Sequence, residues 1–157
     1  MVTAAALKKT ELFVDLDDRQ INNVLSDSTV ESFPEGKVIF QENEEAGYLY
    51  VLLQGAIDLT AMAQEKIGIL TSQIQKEGTL FGLPSLIEPY RYNVTAKCLV
   101  PSKVIKIDAD RLKKSMEQDP QAGMAIMMRL ALIYFNRLND LRKGVVQFFK
   151  LLPVKRP

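Results

Sequence analysis

The stretch between residues 29 and 107 consists of short apolar segments, each ended by turn-forming residues. Pro34, Glu35 and Gly36 form the first such break, since proline fixes φ for a turn and glycine tolerates a positive φ. The segments recur roughly every ten residues, a spacing typical of antiparallel sandwiches and barrels rather than of parallel sheets. This pattern predicts a mainly β fold, an antiparallel β-roll of the jelly-roll or double-stranded β-helix type.

The predicted strands of this roll are all short. They cover residues 29–33, 37–41, 48–53, 56–62, 67–70, 72–75, 93–99 and 103–107. Segment 48–53 is apolar throughout, as expected of a strand covered on both faces, and Gly55 ends it. The 157 residues are expected to form a single domain. It divides into an N-terminal helical segment (1–28), the roll (29–108) and C-terminal helices (109–157).

Helical signals flank the roll on both sides. Asp17 is a predicted N-cap, and Gln20 three residues later completes a capping box ahead of an apolar helical period. This helix should end near residues 26–28. After the roll, the capping residues 108–110 predict a short helix over 111–118.

A long C-terminal helix is predicted from Pro120 to at least Lys143, and the sequence leaves open whether it continues past Gly144. Alternating steps of four and three residues place an apolar seam on it, as in a coiled coil. The seam residues are Met127, Ala131, Tyr134, Leu138 and Leu141.

The long helix is apolar over more than this seam, since residues 124–135 carry apolar side chains on several faces. The seam alone could pack on the roll of the same chain. A helix buried nearly all round, however, needs more than one neighbour. We therefore expect the roll to cover one side and a second copy of the helix to cover the other, in a homodimer.

The residue types present exclude most catalytic and metal sites. The chain has no histidine and a single cysteine, Cys98, so neither a His/Cys zinc site nor a histidine-activated nucleophile can form. Cys98 lies in an apolar segment and is expected to be a small core residue rather than a redox sensor. We expect no catalytic residue, no metal site and no enzyme activity.

Charge and hydropathy bear on partners and location. Lysine and arginine number 20 against 19 acidic residues, for a net charge of +1, whereas a duplex-binding protein normally shows a basic excess. No apolar run approaches the roughly 20 residues that span a bilayer, and the N-terminus lacks the layout of a secretory signal. We expect a cytoplasmic protein without a nucleic-acid or membrane partner.

Five short motifs occur in order along the chain. They are Leu12-Phe13 with Leu16, FPEGKVI at 33–39, YVLLQG at 50–55, GTLFG at 78–82 and VTA at 94–96. The series resembles the cyclic-nucleotide-binding domain of catabolite-activator-type regulators, cyclic-nucleotide-dependent kinases and ion channels, over nearly the whole chain. The resemblance implies a regulatory β-roll and, as in those regulators, a dimer through the long helix. The helix-turn-helix domain that follows this helix in the regulators is not expected here.

The resemblance also implies a phosphate-binding cassette after Gly82. In the family a short helix begins there, a glutamate after the glycine accepts a hydrogen bond from the ribose, and an arginine pairs with the phosphate. This chain has Leu83 in the glutamate position, Pro84 without an N–H, and Tyr90 in the arginine position. Arg91 comes one residue late, which in an extended segment points its side chain to the opposite face.

These two replacements set the expected affinity. Each lost charge-assisted hydrogen bond costs about 1.5–3 kcal/mol, so the two together weaken binding about a hundredfold to ten-thousandfold. A micromolar site would then bind at about 0.1–10 mM. We expect no resident cofactor, no ordinary binding of cyclic AMP or cyclic GMP, and at most weak binding of a cyclic nucleotide or related small ligand.

Several residues around the cassette are candidate ligand contacts. They are Gly82, Leu83, Ser85, Tyr90, Arg91 and Asn93. A one-residue bulge could re-aim Arg91 at a ligand; otherwise it is a solvated arginine. Tyr90 and Tyr92 either stack on a ligand or pack in the roll. Ser85 either donates to a ligand or caps the short helix, and Asn93 is either a donor or an ordinary strand residue.

Two functions are compatible with these patterns. The first is a non-catalytic regulatory or sensor module whose long helix transmits the ligand state through the dimer. The alternative is a structural dimerisation or protein-interaction module with a vestigial pocket. An open polar cavity lined by Ser85, Arg91 and Asn93 favours the sensor, whereas a cavity filled by Leu83 and Tyr90 favours the structural module.

Overall fold

Two four-stranded antiparallel sheets form the roll that the strand spacing predicts. The computed structural model of the chain describes residues 2–62 and 69–153. The strands are β1 (Ser28–Phe33), β2 (Val38–Phe40), β3 (Tyr48–Gln54), β4 (Ile57–Met62), β5 (Ile69–Ile74), β6 (Leu80–Phe81), β7 (Thr95–Cys98) and β8 (Ser102–Asp108). One sheet has the order β1-β8-β3-β6 and the other the order β2-β7-β4-β5.

Strand β3 is buried on both faces, as its continuous apolar sequence predicts. Leu49 and Val51 belong to a core shared with the helices, whereas Tyr50 and Leu52 belong to a second core inside the roll. Successive side chains of a strand point to opposite faces, so one apolar strand can supply both cores. Gly55, at a φ of 110°, then leads the chain towards β4.

Helices flank the roll on both sides in the part of the chain that is described. They are α1 (Val2–Lys8), α2 (Asp18–Ser26), α3 (Ala109–Gln118) and α4 (Pro120–Leu151). The predicted capping box of α2 is confirmed: the Gln20 N–H donates to Asp17 Oδ1 over 2.8 Å, and the Asp17 N–H donates to Gln20 Oε1 over 2.9 Å. Among the described residues, no helix is both long enough and apolar enough to cross a membrane.

Helix α4 continues unbroken through Gly144, which answers the question that the sequence left open. Its inner stripe of Ile126, Leu130 and Ile133 is buried in the core shared with the other helices. The predicted seam is offset from this stripe and lies mostly on the outer side of the helix. Met127, Ala131, Leu138 and Leu141 are exposed, and Tyr134 is half-buried.

The structure differs from the predicted secondary structure at three elements. Segments 67–70 and 72–75, predicted as two strands, contribute to the single strand β5, whose Thr71 pairs with Thr60; residues 67 and 68 lie outside the described residues. Strand β6 is too short, at two residues, to show a periodicity and was not predicted. Helix α1 was not predicted as a separate element, because its short alanine-rich sequence has no capping signal.

Candidate functional site

A cavity of about 340 Å³ opens between the roll and helix α4. Residues of β2, β4, β5, β6, the turn after β6, the segment before β7 and helix α4 line it. They are Phe40, Leu59, Ser72, Ile74, Thr79, Leu80, Phe81, Gly82, Leu83, Pro84, Tyr92, Asn93, Val94, Tyr134 and Arg137. Of the six candidate contacts, Gly82, Leu83 and Asn93 therefore line the cavity.

The turn at Gly82 has the local geometry of the predicted cassette. Gly82 has a φ of 81° and caps a short 3-10 helix, Leu83–Leu86. A Cβ at this position would lie 2.9 Å from the Tyr48 carbonyl oxygen, so both the backbone conformation and the close approach require glycine. Ser85 is fully buried, and its hydroxyl donates to the Gly82 carbonyl over 2.8 Å. The Ser85 side chain thus stabilises the turn and does not line the cavity.

Leu83 brings no polar atom to the position where the resembled family has a carboxylate. Its side chain is 1% exposed and belongs to the core shared with the helices. Pro84 follows it in the first turn of the short helix and has no N–H to donate. A helix of four residues also has only a small dipole to offer an anion. The cassette therefore retains its glycine turn, with no carboxylate at Leu83 and no N–H at Pro84.

Tyr90 and Arg91 do not line the cavity. Tyr90 adopts a φ of 56°, and the Lys113 ammonium nitrogen lies 4.0 Å from the centre of its ring. The exposed Arg91 guanidinium donates to the Asn43 carbonyl over 2.8 Å, while its backbone pairs with Glu45 in an isolated bridge. The nearest arginine to the family's position is thus held against the loop before β3.

Tyr92 is a packing residue beneath the cavity. It is 3% exposed, and its ring stacks on that of Phe40 with 3.8 Å between centroids and an interplanar angle of 12°. Its hydroxyl donates to the Tyr48 carbonyl over 2.7 Å and accepts the Tyr48 N–H over 3.2 Å. Burial raises the pKa of Tyr92 above its usual range. Tyr50 and Phe81 complete this aromatic floor.

Removing the Tyr92 hydroxyl is expected to destabilise the roll. Tyr92→Phe leaves the Tyr48 carbonyl and N–H without that partner, which should lower the free energy of unfolding by about 1–3 kcal/mol. Tyr90→Phe is the matched control, because its ring can keep the contact with Lys113, and should change stability by less than about 0.5 kcal/mol. Urea denaturation of both variants measures the difference; equal losses would contradict the role given to the Tyr92 hydroxyl.

Helix α4 supplies two lining residues that the sequence patterns did not indicate. Tyr134, predicted as a seam residue, is half-buried and packs against the core shared with the helices. Burial raises the pKa of Tyr134, and the nearby Arg137 charge partly offsets that rise. Arg137 lies three residues further along, a spacing that keeps two side chains on one helix face. That spacing from Tyr134 is the signal by which Arg137 could have been found.

A second concave surface, an apolar groove of about 1090 Å³, runs along the outer face of α4. Met124, Met128, Leu132 and Phe135 line it, with exposed fractions from 41% to 67%. At its edge the Arg129 guanidinium donates two hydrogen bonds to Asp15 over 2.6 and 3.0 Å, which lowers the pKa of the Asp15 carboxyl. No element in residues 2–62 and 69–153 covers the broad apolar surface that the groove and the neighbouring seam form on α4.

Metal-ligand types do not cluster in the described parts of the chain. Within residues 2–62 and 69–153 there is no group of three or more Cys, Asp or Glu side chains that could hold a metal ion. Cys98 is a free, buried thiol inside the roll, and burial raises its pKa.

The chain is similar to known proteins in sequence and in structure. A family model described as the cyclic nucleotide-binding domain matches residues 30–119. The global nitrogen regulator of Synechocystis sp. is 25% identical over 117 residues, which cover 72% of this chain and 51% of that protein. The chain thus spans about half the length of this curated relative.

Many solved structures share the fold, among them two from bacteria. A candidate cyclic nucleotide-binding protein from Geobacter metallireducens GS-15 is 31% identical, with a TM-score of 0.74, and the match covers 88% of this chain and 99% of that chain. A cyclic nucleotide-binding domain from Methylobacillus flagellatus KT has a TM-score of 0.78 and covers 99% of this chain and 85% of that chain. At 18% identity the second likeness shows the fold alone.

Proposed function

The chain belongs to the cyclic nucleotide-binding domain family, and from this premise we propose that it is a non-catalytic regulatory module whose cavity takes a small ligand without the family's cyclic-phosphate chemistry. One observation carries the proposal: an open cavity of about 340 Å³ remains beside a cassette that has lost its carboxylate and its cation. Ligand sites usually measure about 300–1,000 Å³, so the space is sufficient for a small molecule.

The proposed ligand contacts come from two sides of the cavity. Gly82, Leu83 and Asn93 contribute on the cassette side, and Tyr134 and Arg137 contribute on the α4 side. The cassette side is largely apolar, whereas the α4 side carries a phenol and a guanidinium. A ligand in this cavity therefore touches the long helix directly.

Helix α4 is the proposed transmitter of the ligand state. Tyr134 and Arg137 face the cavity, while Leu138 and Leu141 on the same helix are exposed. An exposed apolar surface of this extent on a helix is expected to be covered by a partner. We propose that a second copy of α4 covers it, so that the ligand and the dimer act on one rigid element.

The structural module with a vestigial pocket remains the alternative. The apolar Leu83 side chain and the hydrogen bond from the Ser85 hydroxyl to the Gly82 carbonyl favour it, because neither residue brings a free polar group to the cavity. Against it, Tyr90 lies outside the cavity and does not fill it. Binding of any small molecule in the cavity distinguishes the two functions.

The first test of the proposal is to measure the binding of cyclic nucleotides. Calorimetric titration with cyclic AMP and cyclic GMP is expected to give dissociation constants weaker than about 0.1 mM, because the carboxylate and arginine positions hold Leu83 and Tyr90. Micromolar binding of either nucleotide, abolished by Arg91→Ala, would mean that Arg91 turns into the cavity and that the cassette still works in the family's manner.

A further inference from the structure

Among the described residues, the lining of the cavity between the roll and α4 carries a single kind of charge. Of the described residues that line it, only Arg137 is a charged residue, and no aspartate or glutamate is among them. The other hydrophilic side chains on the roll side, Ser72, Thr79 and Asn93, are uncharged. The charge that the described residues give the cavity wall is therefore positive and comes from helix α4.

Among the described residues, no carboxylate forms an ion pair with Arg137. In the described parts of the chain its guanidinium makes no ion pair within 4.0 Å, and Asp140 one turn further along α4 is not its partner. The guanidinium carbon lies 5.8 Å from the centre of the Tyr134 ring, a cation–π contact at the cavity wall. A guanidinium stays charged and presents paired N–H donors that match carboxylate and phosphate oxygens.

We propose that the ligand is a small organic anion whose carboxylate or phosphate group pairs with Arg137. Its apolar body lies against Phe40 and Ile74, which line the same cavity. This inference rests on the proposed function, since it names the ligand class for that cavity. The anion is then bound from helix α4 rather than from the cassette, where Leu83 and Pro84 offer no charge.

Matched pairs of anionic and neutral compounds test the ligand class. Calorimetry would compare benzoate with benzamide, phenyl phosphate with phenol, and AMP with adenosine, each titrated into the full chain. At least one anion is expected to bind ten or more times more tightly than its neutral partner, because a charge-assisted pair with a guanidinium is strong.

Two variants of Arg137 and a control variant of Arg142 test whether Arg137 causes the preference for anions. Arg137→Gln is expected to weaken the anion about tenfold to a hundredfold, and Arg137→Lys to restore part of the affinity by charge alone. Arg142→Gln is the matched control, since Arg142 is exposed on the same helix and does not line the cavity, and should leave binding unchanged. Thermal melting verifies that each variant folds.

Each other outcome overturns the inference. If neutral and anionic partners bind equally, or if Arg137→Gln leaves anion binding intact, the cavity takes a ligand but does not select for charge; the proposed function then stands and this inference fails. If no compound of either class binds at millimolar concentration, the sensor function fails together with it and the structural module is favoured.

Discussion

Replacing Gly55 by valine is expected to lower the free energy of unfolding by about 2–6 kcal/mol, a large share of the roughly 5–15 kcal/mol that stabilises a typical domain. A Cβ at Gly55 would lie 2.7 Å from Ser102 Cα, where neither backbone can move away cheaply. Ser102 is buried in β8, and its hydroxyl donates to the Val100 carbonyl and accepts the Ala56 N–H. Overpacking of this kind costs about 1–3 kcal/mol, and a left-handed φ of 110° adds about 1–3 kcal/mol.

Gly78→Val separates these two causes. Gly78 has a φ of 86° but nothing within 4 Å of an added Cβ, so it should show only the backbone strain of about 1–3 kcal/mol. Urea denaturation of both variants gives the comparison. Equal losses at the two glycines would contradict the close approach of the β3–β4 connection to β8.

Features encoded within a few residues could be predicted from the sequence. The capping box of Asp17 and Gln20 depends only on residues three apart, and the apolar run of β3 is visible as a continuous segment. The two-residue strand β6 could not be predicted from local patterns, because the pairing of Phe81 with Tyr50 depends on the tertiary fold. The sequence pattern divides β5 into two strands at Thr71. In the structure the strand continues through Thr71, because its pairing with β4 is unbroken there.

The candidate site was predictable only on its cassette side. The glycine turn and the missing carboxylate at Leu83 are local features of one motif. Which α4 residues line the cavity depends on the orientation of this helix about its own axis as it packs on the roll. No local sequence pattern specifies that orientation. The seam period predicts that Tyr134 lies in the dimer interface, and the structure also places it, with Arg137, at the cavity. Tyr92 could not be separated from a ligand-stacking residue until its stacking on Phe40 was seen.

Leu138→Glu is expected to dissociate the proposed dimer. Leu138 is 52% exposed in the single chain, so the substitution should barely change the stability of the monomer, because leucine and glutamate have similar helix propensities. A two-fold symmetric interface contains the substitution twice, so two charged carboxylates would replace apolar side chains that the dimer buries. We expect the dissociation constant of the dimer to rise about a hundredfold to a thousandfold.

Asn136→Glu is the matched control for this substitution. Asn136 is exposed on the same turn of α4 but about 160° around the helix from Leu138, given the 3.6-residue turn. It adds the same charge on a side that the seam does not use, and should leave the dimer intact. Dissociation by both substitutions would point to a general charge effect rather than to the seam.

The molar mass of the unmodified chain, measured by sedimentation equilibrium over micromolar concentrations, is the most direct test of α4 as the interface between two copies. We expect twice the mass of one chain for the unmodified protein, the mass of one chain for Leu138→Glu, and no change for Asn136→Glu. A wild-type chain that sediments as a monomer throughout, or a dimer that Leu138→Glu does not weaken, would contradict the pairing of the long helices.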